Sequence, residues 1–304
     1  MLNITNNGVA IFNSNDIMPT NADGSMPFRQ NNDLFWLSGI DQEESILILS
    51  PSNKNEKMRE ILFLKETNAH IAIWEGAKLT KKEAEEKSGI KTIFWLNQFD
   101  EVLTDLLSDA DQIYLNKNTH ARSTSVVETR DDRFRKKIIT DYPSKKITES
   151  APIMHKLRSI KSNIEIDLIQ NACNITEKGF RRILPIIKPG IMEFEIEAEL
   201  IHEFLINRSR GFAYEPIIGS GINSCVLHYI ENNKKCLDND ILLMDFGAEY
   251  ANYASDLTRT VPVNGKFSKR QKDVYNSVLH VMREATNMLR PGTNFKQYNK
   301  EVGK

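Results

Sequence analysis

The 304 residues contain few cysteines, no excess of charge and no long apolar run, and each lack narrows the field. The three cysteines, Cys173, Cys225 and Cys236, are too few and too scattered for a disulfide framework. Their spacing also matches no zinc site. They read as packing residues, and an odd, unpaired set points to reduced thiols and a cytoplasmic setting. Forty basic residues stand against 41 acidic ones, so no basic footprint for nucleic acid is present. The charge clusters Lys81 to Lys87 and Arg130 to Lys137 mix signs or stay short, as solvated helix faces do. No stretch approaches the ~18 consecutive apolar residues of a membrane span, so no membrane partner is expected. The start, Met1 to Phe12, lacks the basic residues and long apolar core of a secretory signal. Low-complexity segments and short-period repeats are missing too.

What is there suffices for two domains with a sizeable core. Residues 1–152 alternate short apolar runs with helical patterns, predicting an α/β domain with a mixed sheet. Ser45 to Ser50, Ile61 to Leu64, Ile71 to Trp74 and Ile113 to Leu115 read as its strands, and Phe99 to Leu107 as a helix. Phe35, Trp36, Phe94 and Trp95 read as core aromatics, and Trp74 as core or subunit interface. The stretch from Asp141 to Pro152 marks the boundary. Residues 153–304 form the second domain, of α+β type. Ser162 with Glu165 is a capping box, and Ile164, Leu168, Ala172, Ile175, Gly179 and Ile183 follow at helical spacing. A second helix carries Ile196, Leu200 and Phe204, short strands run from Ile217 to Thr260, and a third helix starts at Ser268 with Gln271 in capping-box position. Thr293 to Lys304 reads as the beginning of one more helix, which raises the expectation of a longer protein or of a fold completed by another chain.

Two aspartates in this second half carry the chemistry. Asp245 and Asp256 sit in β-prone apolar stretches, where a carboxylate is costly unless a cation meets it. A hairpin closed near Tyr250-Ala251 would place them directly opposite each other, with Cβ atoms about 4.5–5.5 Å apart. Carboxylates that close repel unless they share a proton or a metal. A hard divalent cation, or a pair of them, fits best. The plainer alternative is that both cap strand ends and face solvent. A bulge would also change the register.

Four motifs occur in order: Gly219-Ser220-Gly221-Ile222-Asn223, Leu227-His228-Tyr229, Met244-Asp245-Phe246-Gly247 and Ser255-Asp256-Leu257-Thr258-Arg259-Thr260. Upstream lie Pro27-Phe28-Arg29-Gln30, Leu34-Phe35-Trp36-Leu37-Ser38-Gly39 and Trp74-Glu75-Gly76-Ala77-Lys78. Together they resemble the aminopeptidase P (Xaa-Pro aminopeptidase) and prolidase group of pita-bread metallopeptidases. The resemblance implies a creatinase/prolidase-like α/β domain followed by the first portion of a pita-bread catalytic domain. It implies a site holding two divalent ions, Mn²⁺ being the common choice, with Asp245 and Asp256 as metal ligands and Asp256 the bridging one. His228 matches a histidine that contacts substrate, although in isolation it reads as a hydrogen-bonded core histidine in a short strand. The family's remaining histidine and two glutamates have no counterpart after Asp256. His280 and Glu284, four apart on the third helix, read as surface residues.

The implied activity is hydrolysis of the N-terminal residue from peptides with proline second, by a homodimer or homotetramer. In relatives, a tryptophan matching Trp74 can wall a neighbouring subunit's site. A prolidase acting on Xaa-Pro dipeptides is the near alternative, and a truncated, non-catalytic peptide-binding or oligomerising relative the distant one. With two of five ligands, the 304-residue chain alone is expected to be inactive.

Overall fold

A computed structural model of the chain describes residue 4, residues 7–117 and residues 126–304. It divides into two compact units, Met1–Ile160 and Lys161–Lys304. The division falls after the helix Ala151–Ser159, which therefore goes with the first unit, whereas the sequence reading drew the line at residue 152.

The first unit contains β1 (Gly8–Asn13), α1 (Asn32–Ser38), β2 (Ile46–Leu49), β3 (Glu60–Leu64), α2 (Ala69–Glu75), α3 (Lys81–Ser88), β4 (Thr92–Trp95), α4 (Phe99–Ser108), β5 (Gln112–Leu115), α5 (Arg130–Asp141), β6 (Lys146–Glu149) and α6 (Ala151–Ser159). Its sheet runs β4-β3-β2-β1-β5-β6. β1, β2 and β3 pair antiparallel and the outer pairs are parallel, so the sheet is mixed as predicted. Side chains alternate between faces along each strand. Val9, Ile11, Ile48, Ile61, Phe63 and Ile113 meet Leu103, Leu106 and Leu107 of α4 on one face. Ala10, Phe12, Leu47, Leu62 and Tyr114 meet Leu34 of α1, Ala84 of α3 and Met154 of α6 on the other. With both faces covered, β1 is buried at every position, and Val9 to Phe12 read as an apolar run that ends at Asn13.

One expectation fails here and another is narrowed. Ile71 to Trp74 lies in helix α2, not in a strand. The Asn68 side chain accepts the Ile71 N–H at 2.9 Å and caps the helix, and Gly76 with φ of 77° ends it. Trp74 is 79% exposed, which rules out the core alternative and not the subunit-interface one. Phe35, Trp36, Phe94 and Trp95 are half-buried, and Trp36, Phe94 and Trp95 pack against the core as read.

One polar feature of this unit has a measurable consequence. Asp131, in the first turn of α5, accepts from Asn13 Nδ2 at 3.0 Å and from Asn31 Nδ2 at 3.4 Å. Asn31 in turn caps α1. Burial pushes the Asp131 carboxyl up to about 6 from 3.8, against the Asn13 hydrogen bond, which pulls it down; Asp132 and Asp33 push it up further, and Arg130 pulls it down. A raised acid pKa means that the folded state holds this proton more tightly than the unfolded chain does. Stability therefore falls as pH rises from about 4 to about 6, and a penalty of at most ~3 kcal/mol is fully present above that window. Asp131→Asn should flatten this part of the profile and be more stable than the parent at pH 7 by about 1–3 kcal/mol. Trp36, Trp74 and Trp95 all lie in the first unit, so urea titrations followed by tryptophan fluorescence read it directly. A parent profile no steeper than that of Asp131→Asn between pH 4 and 6 would refute it.

The second unit contains α7 (Asn163–Ile183), α8 (Glu193–Ile206), β7 (Ile217–Ser220), β8 (Ile241–Phe246), β9 (Glu249–Tyr250), β10 (Tyr253–Ala254), β11 (Leu257–Pro262), α9 (Lys269–Met288) and α10 (Phe295–Val302). The predicted capping boxes at Ser162/Glu165 and Ser268/Gln271 are both formed. β7, β8 and β11 make an antiparallel sheet in the order β11-β8-β7. α7 and α8 cover one face: Ile175 and Ile183, with Ile196, Leu200 and Phe204, pack on Ile218, Leu242, Met244 and Phe246. Gly179 permits the close helix contact, because a Cβ there would lie 2.7 Å from Phe204 Cε1. β8 alternates buried with half-buried positions, so Ile241, Leu243 and Asp245 point to the other face. On that side a cavity of about 850 Å³ is lined by Leu243, Thr258, Thr260 and the Val274, Val278 and Met282 stripe of α9. No residue of α9 is buried.

Candidate metal centre

The aspartate pair is assembled by one hairpin. β9 and β10 are joined by Ala251-Asn252, both with positive φ (50° and 65°), and Tyr250 pairs with Tyr253. Positive φ at both central residues is the two-residue turn whose twist suits a hairpin. The same register carries into β8 and β11, where Asp245 faces Thr258. The expected loop centre was one residue early, so Asp256 lies two positions from the residue opposite Asp245, a diagonal neighbour rather than a direct one. A shift of two keeps side-chain parity, so both carboxylates stay on one face.

They converge on a single point. The Tyr214 hydroxyl lies 2.5 Å from Asp245 Oδ1 and 3.1 Å from Asp256 Oδ1. Tyr214 comes from the segment between α8 and β7. Its aim is set by that segment pairing with the hairpin: Ala213 N donates to Gly247 O at 2.8 Å, Glu249 N to Gly211 O at 3.0 Å, and Phe212 bridges Ala248. Burial first, then the Asp245 carboxylate, hold the phenol protonated well above its usual range. Sequence reasoning missed Tyr214; its one signal was an aromatic hydroxyl five residues ahead of the Gly219-Ser220-Gly221 motif.

Other expectations need correction. Asp256 is exposed rather than enclosed by apolar residues, and Asp245 is half-buried. His228 lies exposed in a turn after the short 3₁₀ segment Gly221–Cys225, neither in a strand nor in the core. Cys236 is buried as expected of a packing residue, but Cys173 and Cys225 are exposed. His280 and Glu284 are exposed, as read.

The donor set suits a divalent metal. One hydroxyl carries one proton, so it cannot satisfy two carboxylate acceptors fully. A hard divalent cation between two carboxylate oxygens would balance both charges. Asp245 and Asp256 would hold it, and Tyr214 would orient Asp245. Among the described residues no group of three or more histidine, cysteine, aspartate or glutamate side chains is gathered as a metal cage. The described residues thus bring two carboxylates to this point.

A mixed-sheet α/β unit, followed by helices backing an antiparallel sheet that presents paired carboxylates, defines a two-domain metallopeptidase architecture. Residues 1–114 match the family model for the aminopeptidase P N-terminal domain, and residues 167–304 that for metallopeptidase family M24. The chain belongs to the aminopeptidase P family of metallopeptidases, which act through a divalent metal. It is 33% identical over 282 residues to the Xaa-Pro aminopeptidase of Escherichia coli (strain K12), covering 92% of this chain and 64% of that protein. The Haemophilus influenzae Xaa-Pro aminopeptidase gives the same identity over 93% of this chain and 63% of its own length. The chain thus spans just under two thirds of these curated relatives. Among solved structures it resembles proline aminopeptidase P II from Yersinia pestis, with TM-score 0.85 and 32% identity over 98% of this chain and 68% of that one. It also resembles Pseudomonas aeruginosa aminopeptidase PepP, with TM-score 0.89 and 27% identity over 99% and 68%.

Proposed function

We propose that the native protein is a metal-dependent Xaa-Pro aminopeptidase, removing the N-terminal residue from peptides with proline second. The observation that carries this reading is the meeting of Asp245 and Asp256 at one hydroxyl position on an open sheet face. Bound divalent ions, two per site and most simply Mn²⁺, supply Lewis acidity and a water of lowered pKa. The chain's own residues do the rest. Asp245 and Asp256 supply the negative charge that holds the ions. Tyr214 donates to Asp245 and fixes its rotamer. His228, on an exposed turn, is available to hydrogen-bond a peptide carbonyl. The exposed Ile73 and Trp74 on α2 support a homodimer or homotetramer. The three free cysteines support a cytoplasmic setting.

A second reading, a non-catalytic relative that binds peptides or oligomerises, is favoured by one observation: the described residues supply two carboxylates and no fuller cage. Assay separates the two. The native protein should release the first residue of a short peptide with proline second when Mn²⁺ is added, and stop when a chelator is added. The 304-residue polypeptide expressed by itself should bind Mn²⁺ weakly and turn over little, because two carboxylates leave each ion largely hydrated. Native protein inactive with every divalent metal would favour the non-catalytic reading. Full turnover by the isolated 304 residues would overturn the ligand count.

A further inference from the structure

The side chain of Glu193, the first residue of α8, is 0% exposed and faces no lysine or arginine partner in its four hydrogen bonds. Oε1 accepts from the Ser220 N–H at 2.8 Å and from Ser220 Oγ at 2.7 Å. Oε2 accepts from the Tyr229 hydroxyl at 2.6 Å and from the Lys234 N–H at 2.9 Å. A buried carboxylate is tolerated when every acceptor site is filled in this way, and the start of its own helix adds a favourable dipole. The arrangement is specific in what it joins. Ser220 ends β7, and Lys234 begins the return toward the Met192–Lys235 bridge, with Glu193 N donating to Lys234 O at 2.9 Å. Between those anchors the chain makes one excursion, residues 221–233, and Tyr229 ties its middle to the same carboxylate.

That excursion carries His228. The apolar residues before it do not hold it by packing, since Leu227 is 90% exposed and Ile222 and Val226 are exposed as well. Asn232 adds a second fastening at the base. Its Oδ1 accepts from Ile218 N at 2.9 Å, while its Nδ2 donates to Pro216 O and to Oε2 of Glu197, one turn along α8, both at 2.9 Å. Tyr229 is itself buried; burial and then the Glu193 carboxylate push its phenol up to about 12, so it remains a donor across the working pH range.

We propose that Glu193 is a positioning residue for the substrate site: it clamps the 221–233 excursion through Ser220, Tyr229 and Lys234, and so fixes the turn that presents His228. The inference rests on the reading that His228 contacts peptide, and its test separates the two. Glu193→Gln keeps the shape but turns one oxygen into a donor. Whichever way the amide lies, one buried backbone N–H loses its acceptor. Tyr229→Phe removes the link from the carboxylate to the turn, together with the longer hydrogen bond that the hydroxyl accepts from Asn233 N at 3.4 Å, and serves if Glu193→Gln folds poorly.

The chain has six histidines, so the imidazole NMR signals of His228 in the native protein can be assigned from a His228→Gln spectrum. Both clamp variants should shift and broaden those signals. In peptide assays Glu193→Gln should raise KM by about tenfold, with a smaller change in kcat, since small misplacement of a substrate-contacting group is costly. Glu193→Gln in a His228→Ala background should add nothing further, because residues acting through one another are not additive. Unmoved His228 signals in both clamp variants, or fully additive kinetic effects, would overturn the proposal. Moved signals together with a kinetically silent His228→Ala would remove His228 from the substrate site and leave the clamp standing.

Discussion

Asp256→Asn should abolish metal-dependent peptide hydrolysis by the native protein, lowering kcat/KM by about a thousandfold or more, ~4 kcal/mol of transition-state stabilisation. The fold should hardly notice. Asp256 is exposed, and its hydrogen bond with the Tyr214 hydroxyl is long, at 3.1 Å. Asparagine preserves volume and an acceptor oxygen, so the unfolding midpoint should stay within the ordinary range for surface substitutions, about 0.5 kcal/mol. What is lost is one of the two charges that, in the proposed reading, would hold a cation on this face. Calorimetric titration with Mn²⁺ gives a readout independent of turnover, and affinity should fall with activity. Asp245→Asn should also abolish turnover, but with a visible stability change, because Asp245 is half-buried and accepts the shorter hydrogen bond from Tyr214. An Asp256→Asn protein that binds Mn²⁺ like its parent and turns over at a comparable rate would remove Asp256 from the metal site.

The parts of this structure legible in the sequence are those decided by neighbours along the chain. Capping boxes at Ser162 and Ser268 involve residues three apart, and both formed. The aspartates were legible because strand parity survives an error of register. Moving the turn from Tyr250-Ala251 to Ala251-Asn252 displaced the pairing by two residues and left both carboxylates on one face. Ile71 to Trp74 misled because β-branched and aromatic residues favour strands, while here the Asn68 cap and Gly76 stop decided the matter over an exposed stretch. His228 misled for a related reason: flanking apolar residues suggested a buried strand, but Leu227 points to solvent. Tyr214 and Glu193 were illegible because their partners are far along the chain, Tyr229 lying 36 residues beyond Glu193 and Asp245 lying 31 beyond Tyr214. No local pattern announces a contact of that kind.

Gly247→Ala should cost the second unit more than ~4 kcal/mol, beyond the range of ordinary substitutions. A Cβ at Gly247 would stand 1.8 Å from the carbonyl oxygen of Ser255, 2.5 Å from its carbonyl carbon and 3.1 Å from the Asp256 nitrogen. All three are backbone atoms, so no rotamer change relieves the overlap. The surrounding chain cannot easily move either. Gly247 O accepts from Ala213 N, Ser255 N donates to Ala248 O at 3.1 Å, and Ala248 N is shared between Thr176 Oγ1 and Ser255 Oγ at 2.8 and 3.0 Å. Opening the hairpin to admit a methyl group breaks that set, and it swings the residue after Ser255, which is Asp256, away from Asp245. Gly265→Ala is the control. Nothing lies within 4 Å of its added Cβ, so the cost comes only from its φ of 78° and should be about 1 kcal/mol. Far-UV circular dichroism of Gly247→Ala should show lost helix and strand, while the tryptophan fluorescence of the first unit stays native, since all three tryptophans lie there. A Gly247→Ala protein with the denaturation midpoint of its parent would show that the hairpin has slack at this contact. The close approach would then not be what holds Asp256 beside Asp245.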